Sequence, residues 1–410
     1  MSGNKYMVYL LASLLTVTVS CKSARHTTAP PRDTTTVVVP KEVVKKAPEP
    51  VNKKRIYDKQ LNVALIMPFY LGREFEDATG QIVQISNIAL DYYQGMLIAA
   101  DSLKNMGINL NIFVYDNKKD TMELKKTLLR PEMKTMNLII GPIFREQIQM
   151  VSNFSKANKI PMVFPFSSSN SSSRGNPYII QANPDHRSWG EYLAYYLKDN
   201  FKDAQVLIIR DGKNVDKEFS PYFEKMIDSI SNFSIKSTPF LKGPEWDYDS
   251  IHLDPDKPNL VIVSSVEETV VNSALALLKD SDKELHVFGL QNWLDFKTNY
   301  YNLWEVLHVN ILTNYYIDYN AKNVRAFRKL YRQEYYTEPS EYAFRGFDQL
   351  LFLGKNMLEH GPLFTEAIVK KKEPALHTQY HFMLNKSGEI ENKYIHLLQF
   401  RDFELQERVH

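Results

Sequence analysis

Beyond Asp58 the chain alternates short apolar runs with stretches of helical period. Leu61-Asn62-Val63-Ala64-Leu65-Ile66-Met67, closed by Pro68, reads as a strand buried on both faces. After an irregular, Gly-containing stretch from Leu71 to Ile85, apolar residues recur at helical spacing at Ile88, Ala89, Tyr92, Met96, Leu97, Ala100 and Leu103, and Gly107 supplies the stop. Further strands are expected at 109–115, 137–140, 161–164, 205–209, 259–264 and 285–288, with an extended run at 308–317. Strands and helices in this alternation predict an α/β protein with mainly parallel sheets covered by helices. Ligands of such sheets sit beyond the carboxyl ends of the strands. That rule gathers Phe69-Tyr70, Asp116, Pro142 to Arg145, Phe166 to Ser169, Ser264-Ser265 and Gln291 to Trp293 around one crevice.

The pattern ahead of Asp58 is different. Residues 1–20 hold one charge, Lys5, before an apolar run from Tyr6 to Val19. A bilayer span needs about 20 apolar residues, so this run fits a signal-peptide core better. Ser20-Cys21 follows it, and the order of apolar core, small residue and cysteine resembles a bacterial lipobox, with Thr18 standing where leucine is usual. The resemblance implies cleavage after Ser20 and lipid on the Cys21 thiol. From 22 to 57 come five prolines, nine Lys or Arg and three Asp or Glu. Such a segment cannot bury enough apolar surface to offset its ordering entropy, so it is expected to be a disordered basic tether, reaching about 110 Å if polyproline-like.

Charge and cysteine count then narrow the function. The total of +2, from 50 basic and 48 acidic residues, separates into +6 on the tether, Lys5, and −5 on residues 58–410. No basic surplus on the body points to nucleic acid. A single cysteine excludes an intramolecular disulfide and a cysteine metal cluster. The chain contains no G-x-S-x-G, no GxxxxGK[ST] and no HExxH, and its ten histidines are scattered. An enzyme, a metal site and a cofactor are therefore not expected. At 410 residues the length suggests two domains.

Several landmarks resemble type I periplasmic binding proteins. They are Val63 to Phe69, Tyr93-Gln94-Gly95 with Ala99-Ala100-Asp101, Ile139-Ile140-Gly141-Pro142, Lys159 to Pro165 followed by serines, and Pro339 with Tyr342 to Asp348. They occur in the family's order over about residues 60–400, closest in pattern to branched-chain amino-acid binders and receptor ligand-binding regions. The resemblance implies two α/β lobes joined by three crossing strands, with lobe 1 at 59–183 plus 316–376 and lobe 2 at 184–315 plus 377–410. It also implies ligand contacts from Ser167, Ser168 and Ser169, whose hydroxyls and backbone N–H groups suit an anionic oxygen. Arg145 either supplies a cation to the crevice or is a solvated first-turn residue. The family's acidic partner for a ligand ammonium is replaced by Leu290-Gln291-Asn292-Trp293, and its tyrosine at the preceding strand end by Ser264-Ser265. A buried ammonium without a counter-ion is costly, so a free amino acid is a poor ligand here. Tyr70, Phe69 and Trp293 are candidate aromatic walls for another small polar molecule, with Ser265 and Gln291 as polar contacts.

Two functions follow. One is a lipid-anchored solute-binding protein of a Gram-negative envelope, on the periplasmic face of the outer or inner membrane, presenting its ligand to an ABC permease or a sensor. The other is a ligand-free interaction protein, resembling lipoproteins of this fold that activate peptidoglycan synthases.

Overall fold

The computed structural model describes residues 60–72, 81–166, 175–241, 243, 245–247, 249–297 and 300–408. The signal, Cys21 and the tether lie outside them.

The chain first builds β1 (Gln60–Met67), α1 (Gln81–Asn105), β2 (Asn109–Asp116), α2 (Thr121–Leu128), β3 (Leu138–Ile140), α3 (Arg145–Asn158), β4 (Met162–Phe164) and β5 (Ile179–Gln181). Alternation along β1 explains why its apolar run is continuous. Val63, Leu65 and Met67 face one core with α1, while Ala64 and Ile66 face another with Leu124, Ile148 and Val151 of α2 and α3. Helix α1 starts earlier than the sequence spacing suggested, taking in residues 81–85 of the stretch expected to be irregular.

The second sheet follows: α4 (His186–Asn200), β6 (Gln205–Arg210), α5 (Asn214–Ile230), β7 (Ser234–Pro239), β8 (Asn259–Ser264), α6 (Glu268–Leu278), β9 (Leu285–Leu290), α7 (Tyr301–Val306) and β10 (Asn310–Thr313). The extended run expected at 308–317 stops at Thr313 because the chain there leaves the sheet. It returns to the first lobe as α8 (Lys322–Tyr335), α9 (Glu341–His360), α10 (Phe364–Ala367), β11 (Lys372–Pro374), β12 (Gln379–Leu384) and β13 (Ile390–Asn392), and ends in the second as β14 (His396–Arg401) and β15 (Glu404–Glu407).

The sheet orders are β11-β12-β13-β5-β4-β3-β1-β2 and β15-β14-β10-β9-β8-β6-β7. Strands pair in parallel from β13 through β2 and from β10 through β7, and the edges β11, β12, β14 and β15 are antiparallel. Each sheet has its own core. The chain passes between them three times: after β5, after β10 and after β13. Of residues 377–410, all expected in lobe 2, β12 and β13 belong instead to the first sheet, while β14 and β15 lie in the second. Tyr380 and Phe382 of β12 pack on Phe352 of α9, and Ile390 of β13 pairs with Ile180 of β5. Burial of those rings, not chain order, decides the lobe.

Helices α1 and α9 cross with backbones almost touching. A Cβ on Gly95 would lie 1.9 Å from the Ala343 carbonyl oxygen, and one on Gly346 would lie 2.0 Å from that of Tyr92. Among the described residues, no helix is long and apolar enough to cross a membrane, and no three potential metal-ligating side chains cluster.

Candidate ligand-binding crevice

Asp116 shapes the carboxyl edge of the first sheet. Its carboxylate accepts the backbone N–H groups of Phe69 (3.0 Å), Tyr70 (3.1 Å), Leu71 (2.7 Å) and Lys118 (3.1 Å). These bonds hold Tyr70 at a φ of 55°, left-handed backbone that a tyrosine rarely adopts. The Ser86 hydroxyl donates to the Phe69 carbonyl at 2.8 Å and fixes the same turn to α1. Tyr70 is buried, and it lines a cavity of about 420 Å³ with Ile82, Lys118, Lys119, Asp120 and Thr121. Asp116→Ala is expected to cost about 2–3 kcal/mol, because four donors lose one acceptor and water recovers only part of the loss. Urea denaturation followed by far-UV circular dichroism checks it.

After β3, Gly141 has a φ of 94°, and a Cβ there would meet the Ile66 carbonyl oxygen at 2.2 Å. Only glycine allows that approach. It leads into α3, where Arg145 stands exposed in the first turn and Glu146 lies 3.9 Å from Lys119. Ser167, Ser168 and Ser169 lie outside the described residues. Their neighbour Phe166 is held in place: its carbonyl accepts from Asn183 Nδ2 at 3.0 Å, and its ring meets Tyr92 and Tyr342 edge-on at 5.3 and 5.2 Å.

In the second lobe the expected ligand contacts are engaged by the protein. The Ser265 hydroxyl donates to Asp211 at 2.6 Å and accepts the Glu267 N–H at 3.0 Å. Gln291 Oε1 accepts the Asn314 N–H at 2.9 Å and pairs with the Thr313 hydroxyl at 3.2 Å. Trp293, expected as an aromatic wall, is instead a core residue with no exposed surface. The turn after β9 folds it against Gly289, where a Cβ would meet its ring at 2.5 Å, and its indole N–H donates to the Ser265 carbonyl at 2.9 Å. These three side chains brace the strand ends.

A cluster without a motif joins the two lobes: Glu341, Tyr342 and Arg345 of α9, Tyr315 of the second crossing, and Asp295 after β9. Its one sequence signal is the i,i+4 spacing of Glu341 and Arg345. Arg345 is 4% exposed. Its Nη2 donates to Glu341 Oε2 at 2.9 Å, and its guanidinium carbon lies 4.8 Å from the Tyr315 ring centroid and 5.9 Å from that of Tyr342. Its Nε is buried without a hydrogen-bond partner. Burial first and the nearby Glu341 charge second raise both tyrosine hydroxyls, Tyr342 to about 12. Asp295 is exposed by surface area, yet protein crowds it enough that desolvation first and Glu341 second push its carboxyl up, while Arg345 pulls it down. The arrangement holds a cation against two ring faces and a carboxylate; it contains no nucleophile and base in contact.

The crossings are polar. Asp348 Oδ2 accepts the N–H groups of Leu376 (2.8 Å) and His377 (2.9 Å) and the His377 Nδ1–H at 2.5 Å, with both side chains buried. The His377 carbonyl in turn accepts the Tyr316 N–H at 2.8 Å. His396 of β14 bonds Glu407 through Nδ1 at 2.5 Å and meets the Thr378 hydroxyl, on the way to β12, at 3.3 Å.

No protein-family model and no curated protein matches this sequence. Solved structures do match. A putative branched-chain amino acid ABC transporter protein from Rhodospirillum rubrum aligns with a TM-score of 0.66 at 13% identity, over 85% of this chain and 100% of its own. An ABC transporter substrate-binding protein from Desulfitobacterium hafniense, in complex with Leu, aligns at 0.57 and 13% identity over 85% and 100%. Full-length LpoA from Haemophilus influenzae aligns at 0.58 and 11% identity, over 87% of this chain and 60% of its own. At such identities the likeness is one of fold. This chain has the two-lobed type I periplasmic-binding-protein fold that its ordered landmarks led one to expect.

Proposed function

We propose that this chain is a membrane-anchored solute-binding lipoprotein that closes its two lobes on a small polar ligand and presents it to a transporter or sensor in the cell envelope. The observation that supports this reading is the way the two lobes are joined. Two separately cored lobes meet through three chain crossings, so rotation about the crossings opens or shuts a crevice without breaking either core. Closure then follows from a ligand's greater affinity for the shut form. On this reading Tyr70, Arg145 and Ser167 to Ser169 supply the first-lobe contacts to the solute. Lipid on Cys21 and the basic tether keep the body beside its membrane partner.

A second reading is favoured by the engagement of Ser265, Gln291 and Trp293 within the protein. In it the crevice has lost its solute, and the protein regulates peptidoglycan machinery as a ligand-free module. Native mass spectrometry of gently purified protein separates the two. A retained small molecule whose binding is lost in Tyr70→Ala is expected for the solute reading. Ligand-free protein that crosslinks to wall-synthesis enzymes replaces it with the second. The anchor is tested separately: Cys21→Ser is expected to move the protein from the membrane to the soluble fraction, and persistence at the membrane refutes lipidation.

A further inference from the structure

We propose that Arg345 is a built-in occupant of a cation cage at the junction of the two lobes, so that the chain's own guanidinium fills the place a solute's cationic group would take. The cage draws on three parts of the chain. Glu341 and Tyr342 come from α9, Tyr315 from the second crossing, and Asp295 from the turn that the Gln291 to Asn314 hydrogen bond ties to that crossing. The two ring distances, 4.8 and 5.9 Å, lie within reach of cation–π attraction. A guanidinium this deeply buried is tolerated only where rings and carboxylate oxygens replace its water. Glu341 supplies such an oxygen at 2.9 Å.

Two features mark the cage as a site rather than ordinary packing. The buried Nε–H has no partner, which is the imperfect fit of a cation tethered to a helix; a free guanidinium could turn to use every donor. With Arg345 removed, the Glu341 carboxylate and two ring faces would remain, with Asp295 adding negative charge from the neighbouring turn, a set that attracts cations and repels anions. A solute with a cationic group must therefore displace Arg345 or bind elsewhere. This inference rests on the two-lobed fold and not on the solute reading, so each can fail alone.

Arg345→Ala empties the cage, and ethylguanidinium chloride is the probe, compared with sodium chloride at equal ionic strength. At tenfold above its Kd the probe is expected to raise the Tm of this variant by about 2 °C. The wild type should not respond. Adding Glu341→Gln to Arg345→Ala should abolish the rise, and sodium propionate should produce none. A folded Arg345→Ala variant that ignores ethylguanidinium overturns the proposal, as does an equal rise in the wild type. If Arg345→Ala folds only with the probe present, the proposal stands. If it folds under neither condition, Glu341→Gln alone decides: this near-isosteric change is expected to lower Tm by several degrees, and a wild-type Tm overturns the cage.

Discussion

Gly346→Ala is expected to destabilise the first lobe by about 3 kcal/mol, the upper part of the usual overpacking range. The new methyl would lie 2.0 Å from the Tyr92 carbonyl oxygen, and its obstacle is helix backbone rather than the end of a movable side chain. Relief requires α9 to back away from α1. That would loosen the core in which Tyr92, Met96 and Leu103 meet Leu350, Leu353 and Met357. Gly95→Ala opens the same crossing from the other side, at 1.9 Å from the Ala343 oxygen. The two changes share one contact, so the double variant is expected to cost less than their sum. Chemical denaturation of the three variants tests this; a cost below about 1 kcal/mol for Gly346→Ala would mean the helices can part freely.

Asp348→Ala is expected to cost about 3–5 kcal/mol, since it leaves two buried donors and one half-buried donor around a missing carboxylate. Its partner adds a pH signature. Burial, the larger cause, holds His377 below the ordinary histidine value, while Asp348 opposes it. The unfolded chain therefore takes up the proton first as pH falls. The stability conferred by neutral His377 is whole above about pH 6.5 and is lost as pH drops from there toward the folded value. Thermal melts between neutral and mildly acid pH should show this decline in the wild type and a shallower one in His377→Asn. Equal slopes would remove His377 as the cause.

Much of the fold was legible because its signals are local. Buried parallel strands announce themselves as unbroken apolar runs, and β1, β6, β8 and β9 were readable for that reason. Strand β7 was not: its residues SIKSTP are mostly exposed at a sheet edge and carry no apolar pattern. Strand β12 was missed differently. Its buried Tyr380 and Phe382 alternate as a strand should, but nothing nearby in sequence reveals which sheet they join.

The carboxyl edge of the first sheet was legible in outline, and the partners of individual side chains were not. Asp116 and Phe69-Tyr70 were correctly gathered, because strand ends in a parallel sheet share an edge. Trp293 was misread because a large aromatic beside a strand end looks the same in sequence whether it faces solvent or folds under Gly289. Asp295, two residues further along, carries no local signal, because only the fold brings the charges of Glu341 and Arg345 near it.

By itself the sequence determined the alternation of strands and helices, the order of the family-like landmarks and the contrast between a basic leader segment and an acidic body. These depend on residue type and spacing along the chain. Only the tertiary structure decided which lobe owns β12 and β13, that Ser265, Gln291 and Trp293 are occupied by the protein, and that Arg345 sits between Tyr315 and Tyr342. Those outcomes depend on contacts across tens to hundreds of residues, where burial and hydrogen-bond satisfaction choose among partners that local pattern leaves equivalent.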